Sequence, residues 1–185
     1  MRRVHIEDVD TYMGPASVKR PLSTELETEG IAINYFELDP GESFAFGYHS
    51  HADQEEVFYV LQGTATFETN AGAAARAEAN GKSIASEDED ATAGPTADAD
   101  RIEVKVEAGE AIRFAPGEYQ QGHNENTERV VALAIGAPRD AGETDIRREC
   151  PPCGEDTPQE IEMTDDRSGL VTRCIECGTE TGRFD

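Results

Sequence analysis

Apolar and polar residues alternate in short runs along most of this chain. Between residues 30 and 139 the runs are separated by Gly, Pro and Asn, the residue types that tight turns require. Alternation with a period of two residues predicts strands over 31–38, 43–51, 56–69, 102–107, 110–115, 119–125 and 129–136. The sequence contains no convincing long amphipathic helix. These short strands therefore indicate an all-β sandwich or barrel.

Two of the 4 histidines lie one residue apart at the end of a predicted strand. The stretch reads His49-Ser50-His51, and Glu56 opens the next predicted strand. Because alternate residues of a strand share a face, both imidazoles should point the same way. Two imidazoles and one carboxylate can hold a divalent transition metal and leave coordination positions open. The alternative is a metal-free polar cluster, although packing alone gives little reason to bury one.

The residues around this site resemble the cupin superfamily. The stretch HSHADQEEVFYVLQG matches the first cupin motif through Glu56 and Gly63, although the Gly expected six residues before the first His is displaced. Residues 109–124, GEAIRFAPGEYQQGHN, resemble the second motif, with Pro116 one position late. The resemblance implies a single-domain, cupin-2-like jelly-roll barrel. It also implies a homodimer, with the N-terminal segment packing across to the partner.

The resemblance further implies a fourth metal ligand, a His of the second motif, and this chain has Gln120 at that position. A Gln carbonyl oxygen is a neutral donor and binds borderline transition metals less strongly than imidazole does. We therefore expect His49, His51 and Glu56 as ligands. Gln120 would be a weak fourth ligand or a hydrogen-bond donor to a bound molecule. His123 lies on the opposite strand face unless the register shifts. Fe, Mn, Ni and Zn all remain open as the barrel metal.

All 4 cysteines lie near the C-terminus in two Cys-x-x-Cys pairs, Cys150 with Cys153 and Cys174 with Cys177. Twenty residues separate the pairs, a spacing typical of a zinc ribbon in which four thiolates surround one ion. We expect a structural zinc at these cysteines. Rubredoxin-like iron and two disulfides are the alternatives, and a cytoplasmic location disfavours the disulfides.

These motifs divide the chain into two modules. Residues 1–139 are interpreted as the cupin β-barrel, 140–149 as a linker, and 150–185 as the zinc ribbon.

Residues 83–100 contain six acidic and no basic residues and almost no bulky apolar side chain. Such a segment cannot bury enough surface to offset its ordering entropy, so we expect a mobile insert in a hairpin.

Acidic residues dominate the composition, with 39 Asp+Glu against 16 Lys+Arg and a formal net charge of −23. This charge repels phosphate backbones and anionic lipids, so nucleic acid and membranes are poor partner candidates. Because no apolar run approaches the about 20 residues that cross a bilayer, and the start lacks a secretory signal, we expect a cytoplasmic protein. Acids spread over the whole chain favour a halophilic protein, which a stability optimum in low salt would contradict.

Two classes of function remain open at this stage. The first is a metal-dependent isomerase, lyase or dioxygenase acting on a small polar chelating molecule, such as a hydroxy-acid, a keto-acid or a sugar derivative. No general base stands out for it. The second is a non-catalytic small-molecule or metal-binding module whose ribbon contacts a partner protein. Residues 141–185 carry 5 Arg against 12 Asp+Glu, which favours a protein contact or docking on the chain's own barrel.

Overall fold

The computed structural model describes residues 1–70, 97 and 101–185 of the chain. Within these ranges nearly all regular structure is antiparallel strand, with one 3-10 turn (Ile6–Asp8) and one short helix, α1 (Leu22–Leu26). The strands are β1 (Val18–Pro21), β2 (Ala32–Leu38), β3 (Tyr48–His51), β4 (Glu55–Gln62), β5 (Thr64–Asn70), β6 (Arg101–Glu107), β7 (Ala111–Phe114), β8 (Gln120–His123), β9 (Val130–Ala137), β10 (Thr144–Cys150), β11 (Glu155–Met163), β12 (Leu170–Cys174) and β13 (Glu180–Phe184). The all-β prediction is confirmed.

The strands form two sheets. One has five strands in the order β1-β2-β9-β4-β7, and the other has eight in the order β13-β12-β11-β10-β3-β8-β5-β6. Strands distant in sequence are neighbours in both sheets, as in a jelly roll. This order brings β3, which carries the paired histidines, next to β8 and β10.

The core lies between the two sheets and combines five phenylalanines with alanine, valine and leucine side chains. Phe44 contacts three other rings, with centroid distances of 5.3 Å to Phe36, 5.1 Å to Phe58 and 5.7 Å to Phe67. Buried and partly buried residues alternate along the whole length of β9, as expected for a strand with one face on the core. Three of the core rings, Phe36, Phe44 and Phe58, also line the cavity that contains the polar groups described below.

The C-terminal strands continue the barrel sheet directly. Residues 140–149 were expected to be a linker, but residues 144–150 form β10, which pairs with β3 on one side and β11 on the other. Two further contacts hold this module to the barrel. The Phe46 and Phe184 rings meet edge to face at 5.0 Å, and the Arg148 guanidinium donates to the Phe46 carbonyl. Because backbone hydrogen bonds of β3 need a partner strand, β10 completes the sheet.

The predicted mobile insert at 83–100 lies outside the described residues, apart from residue 97. The N-terminal segment packs on this chain's own sheet, where the Arg20 guanidinium donates to the Ile6 carbonyl at 2.7 Å. No helix among the described residues is long and apolar enough to span a bilayer.

Candidate metal centre

His49 points into the barrel from β3 and is buried, with 7% of its surface exposed. Its Nδ1 lies 3.0 Å from the Gly47 carbonyl oxygen, so the ring donates its Nδ1 proton there and leaves Nε2 unprotonated, facing the Gln120 amide at 3.1 Å. Burial lowers the pKa of His49, although the nearby charge of Glu56 acts in the opposite direction. A neutral imidazole with a free Nε2 is the form that ligates metals.

His51 leaves the same strand two residues later and is positioned by β10. Thr144 lies directly opposite His51 in the β3–β10 pairing, and its Oγ1 is 3.0 Å from His51 Nδ1. His51 Nε2 is then 3.6 Å from Glu56 Oε2, which comes from β4 in the facing sheet. Both histidines therefore use Nδ1 for an outer hydrogen bond and present Nε2 to one common point.

Gln120 reaches this point from β8, where it pairs with His49 in register. Its Nε2 lies 3.1 Å from His49 Nε2 and 3.0 Å from Glu56 Oε2, while its buried Oε1 has no hydrogen-bond partner. The oxygen and nitrogen of an amide are assigned from such contacts. Rotating the amide by half a turn would aim the unpartnered oxygen at the shared point, as metal ligation requires.

These groups fit a divalent metal. Ligand atoms of His49, His51 and Glu56 all lie within 4.8 Å of one another. Two nitrogens and one carboxylate oxygen suit a borderline transition metal, whose bonds to them are about 2.0–2.2 Å long. With the amide rotated as described above, the Gln120 oxygen that now lacks a partner would face such an ion. The structure thus brings together all four barrel residues that the sequence singled out.

A cavity of about 330 Å³ opens in front of these groups. Phe36, Phe44 and Phe58 form apolar walls, while the C-terminal strands supply Ile146 and Ile161. The size is that of a site for a small molecule. Sequence reasoning missed the contribution of β10 and β11 because their pairing with the barrel is not encoded in a local pattern.

Lys19 is a second residue that sequence reasoning missed. It lies on β1 and lines the same cavity as the paired histidines. Burial lowers the pKa of Lys19, and the negative charge of Glu56 partly opposes this shift. The one feature of the sequence that marks Lys19 is that the chain has only three lysines, and the rarity of a residue type does not place a residue in a site.

His123 does not join the candidate metal centre. It lies on β8 but on the face opposite Gln120, as the strand period predicts, and it borders a separate surface depression together with Tyr48 and Arg101. Burial lowers its pKa, and burial raises the pKa of Tyr48 to about 12. The Arg101 guanidinium lies 3.9 Å from the centre of the Tyr48 ring.

The four cysteines form a second cluster with ligand geometry. Their Sγ atoms lie within 4.8 Å of one another, with Cys150 and Cys177 at 3.5 Å and Cys153 and Cys174 at 4.0 Å. Tetrahedral zinc with about 2.3 Å bonds holds its sulfurs about 3.8 Å apart. No disulfide joins these cysteines. Hydrogen bonds from the side chain and backbone of Thr179 lower the pKa of Cys177 to about 6, whereas burial raises the pKa of Cys150 and the neighbouring thiols raise that of Cys153.

Each cysteine pair sits on a tight turn closed by a glycine. Gly154 donates its backbone N–H to the Cys150 carbonyl at 2.9 Å, and Gly178 donates to the Cys174 carbonyl at 2.8 Å. Both glycines have positive φ, 77° and 74°, a conformation that other residues rarely adopt. The two turns are thus built alike and face each other across the cluster.

Among the comparisons with known proteins, similarity of structure supports the fold, whereas similarity of sequence does not contribute. No protein-family model matches the chain, and no curated protein matches its sequence. Among solved structures, the polyketide cyclase RemF from Streptomyces resistomycificus is 20% identical, with a TM-score of 0.54 over 82% of this chain and 88% of that one. A double-stranded β-helix protein from Klebsiella pneumoniae is 15% identical, with a TM-score of 0.53 over 80% of this chain and 99% of that one.

A third structure extends the similarity to the C-terminal strands. A sugar phosphate isomerase of the cupin superfamily from Silicibacter pomeroyi is 15% identical, with a TM-score of 0.52, and the match covers 99% of this chain and 91% of that chain. At these identities the similarity shows the fold alone. The protein therefore has the cupin fold, a double-stranded β-helix, with a cluster of four cysteines in its C-terminal strands. The cupin fold that the two sequence motifs predicted is therefore confirmed.

Proposed function

We propose that His49, His51 and Glu56 hold a divalent transition metal whose open positions take a small polar chelating molecule. The observation that carries this proposal is the convergence of both Nε2 atoms and the Glu56 carboxylate at the inner wall of one cavity. Packing gives no other reason to place these groups together, because each loses hydration on burial. The cupin fold of the neighbours is consistent with such a site.

In this proposal each residue has a distinct task. A divalent metal supplies a Lewis acid for a chelating hydroxy-acid, keto-acid or sugar derivative. His49 and His51 are held in the ligating tautomer by Gly47 and Thr144, and Gln120 serves as a weak fourth ligand or orients the bound molecule. The aromatic walls keep water away from the bound molecule and strengthen electrostatic contacts to it.

Either an enzyme or a binding module is compatible with this site. Metal-dependent isomerases, lyases and dioxygenases can all act on a substrate that chelates the metal, and the fold hosts many reactions. Among the described residues that line the cavity, Lys19 is the one titratable side chain outside the three-ligand set, so an enzyme would have to use it as the general base. Oxygen consumption and proton exchange with a panel of keto-acids separate the two, because turnover supports the enzyme and inert metal-loaded protein supports the module.

We propose that the cysteine cluster holds a structural zinc. A module this small has little core, so an ion would supply much of its folding free energy. The docking of β10 on β3 and of Phe184 on Phe46 supports a role inside this chain. In that role the ribbon completes one wall of the barrel cavity, and a contact with a partner protein is not needed to explain it.

We propose that a second copy of the chain covers the outer face of the five-stranded sheet, as the cupin resemblance implies. Two cross-strand rows of apolar side chains lie on this face, opposite the core: Ile33, Ile135 and Val57 in one row, and Tyr35, Leu133 and Tyr59 in the other. The Tyr59 side chain is 38% exposed in the single chain. Contiguous apolar surface of this kind is typical of a protein interface.

Metal analysis of purified variants tests the barrel site. The wild-type protein should contain two ions per chain, and His49→Ala should contain one, because the cysteine cluster retains its own ion and serves as an internal standard. His5→Ala is the matched control, since His5 is exposed and lies outside the cavity. One ion in both the wild-type protein and His49→Ala would refute the barrel site.

A further inference from the structure

The cavity beside the candidate metal centre contains a second charged group, the ammonium of Lys19. The side chain comes from β1 and lines the same cavity as His49 and His51. Its Nζ lies 5.6 Å from the centre of the Phe36 ring. A cation over an aromatic face is attracted by the ring, so this contact holds the charge against the cavity wall.

Among the described residues, the Lys19 ammonium has no direct polar contact, and the Glu56 charge acts on it only at longer range. Across residues 1–70 and 101–185, Nζ of Lys19 takes part in no ion pair and no hydrogen bond, whereas Arg113 and Arg129 on the surface are both paired with carboxylates. A partly buried cation loses hydration, and a partner normally offsets that loss. The unpartnered ammonium therefore indicates that a bound molecule supplies the missing negative charge.

The charge balance of the cavity also favours an anion. Glu56 is the one carboxylate among its described lining residues, and the proposed metal uses that carboxylate. Once Glu56 is so committed, the ion and Lys19 give the cavity a net positive charge inside a chain whose formal net charge is −23. Such a local reversal concentrates small anions in the cavity even though the outer surface repels them.

We propose that Lys19 binds an anionic group of the ligand, so that the site takes a small molecule that is anionic at both ends. One end of this molecule supplies chelating oxygens to the metal, and the other end places a carboxylate or a phosphate against the Lys19 ammonium. The apolar walls formed by Phe44 and Phe58 suit a short hydrocarbon spacer between the two ends. This inference rests on the proposed function, which it deepens by naming the class of ligand.

Calorimetric titration of Mn(II)-loaded protein tests the inference with two pairs of probes. L-malate is compared with L-lactate, which lacks the second carboxylate, and 3-phosphoglycerate is compared with glycerate, which lacks the phosphate. The wild-type protein should bind L-malate or 3-phosphoglycerate about 10- to 100-fold more tightly than the monoanion with which it is paired, as one charge-assisted hydrogen bond predicts. The pair that shows the preference identifies the anionic group.

Three variants assign the preference to Lys19. Lys19→Met keeps the apolar stem and should bind the two members of each probe pair with affinities within about twofold of each other, whereas Lys19→Arg should retain the preference. Lys105→Met is the matched control, because Lys105 is an exposed lysine on β6, and its affinities should equal those of the wild-type protein.

The metal content of the same samples separates two kinds of failure. Wild-type protein that takes up no ion at the barrel site would overturn the proposed function and this inference together. Protein that loads metal but binds malate and lactate equally, and 3-phosphoglycerate and glycerate equally, would overturn this inference alone. Persistence of the preference in Lys19→Met would do the same.

Discussion

The hydroxyl of Thr144 fixes which nitrogen of His51 faces the cavity. The Thr144 Oγ1 atom lies 3.0 Å from His51 Nδ1, and this contact leaves His51 Nε2 as the nitrogen next to Glu56. Hydrogen bonds of this kind hold a ligand in the right tautomer and orientation before a metal arrives. The backbone carbonyl of Gly47 does the same for His49 and cannot be removed by mutation of a side chain.

Thr144→Val should therefore weaken the affinity of the barrel site for metal by about tenfold. This is the low end of the range for residues that hydrogen-bond to metal ligands, because Thr144 is exposed to water. Thr144→Ser retains the hydroxyl and should restore most of the affinity. Competition titrations with a chromogenic chelator measure the difference. The control is Thr127→Val, an exposed threonine in the loop before β9. Equal affinities for Thr144→Val and Thr127→Val would show that this hydrogen bond does not position His51.

At the scale of elements, β10 joins the two halves of the molecule. It begins opposite His51, contributes Ile146 to the cavity and ends at Cys150 in the cysteine cluster. One short strand thus carries contacts of the barrel site and of the proposed zinc site. Because the strand is held at both ends, loosening the cysteine cluster should loosen the cavity wall.

Cys174→Ser should therefore affect the barrel as well as the ribbon. We expect loss of the ion at the cysteine cluster, faster backbone hydrogen exchange in β10 and β11, and weaker metal binding at His49 and His51. Ile175→Ser is the control, since Ile175 lies in the same turn with 59% of its surface exposed and is not a ligand. A variant that loses the ribbon ion but keeps wild-type exchange in β10 would show that the two sites are independent.

The sequence predicted those strands in which apolar and polar residues alternate and which are bounded by residues typical of turns. The predicted run 56–69 is two strands, β4 and β5, separated at Gly63, a position with positive φ that the sequence had marked as a turn. Strand β1 and helix α1 were not predicted, because VKRP is short and its strand has a single neighbour at the sheet edge. Strand β10 was taken as a linker because the strand that orders it, β3, lies more than ninety residues away in sequence.

The candidate site was predictable to the extent that its residues lie close together in sequence. His49, His51 and Glu56 follow a local spacing, and the strand period correctly separates Gln120 from His123. Lys19 and Thr144 enter the site only through the folding of distant strands, and no local pattern marks either of them. The four cysteines were grouped correctly because two short, repeated turns carry them.

At the scale of the whole molecule, the proposed dimer has a direct test. Leu133→Asp places a charge in the apolar rows on the outer face of β9 and should convert a dimer into a monomer in light scattering. Ile175→Asp is the control, because it adds the same charge to an exposed site on the ribbon. Circular dichroism establishes that both variants are folded. A wild-type protein that is monomeric at micromolar concentration would contradict the proposed dimer.

The central claim concerns the whole molecule, namely that one metal ion lies in the barrel between the two sheets and a second lies in the cysteine cluster. Anomalous diffraction from crystals of the native protein, recorded at the absorption edges of Mn, Fe, Ni and Zn, tests this claim most directly. The account predicts one peak about 2.0–2.2 Å from Nε2 of His49, Nε2 of His51 and the Glu56 carboxylate, and a zinc peak among the four cysteine sulfurs. A zinc peak at the cysteines, with no peak in the barrel even after soaking with each metal, would contradict it.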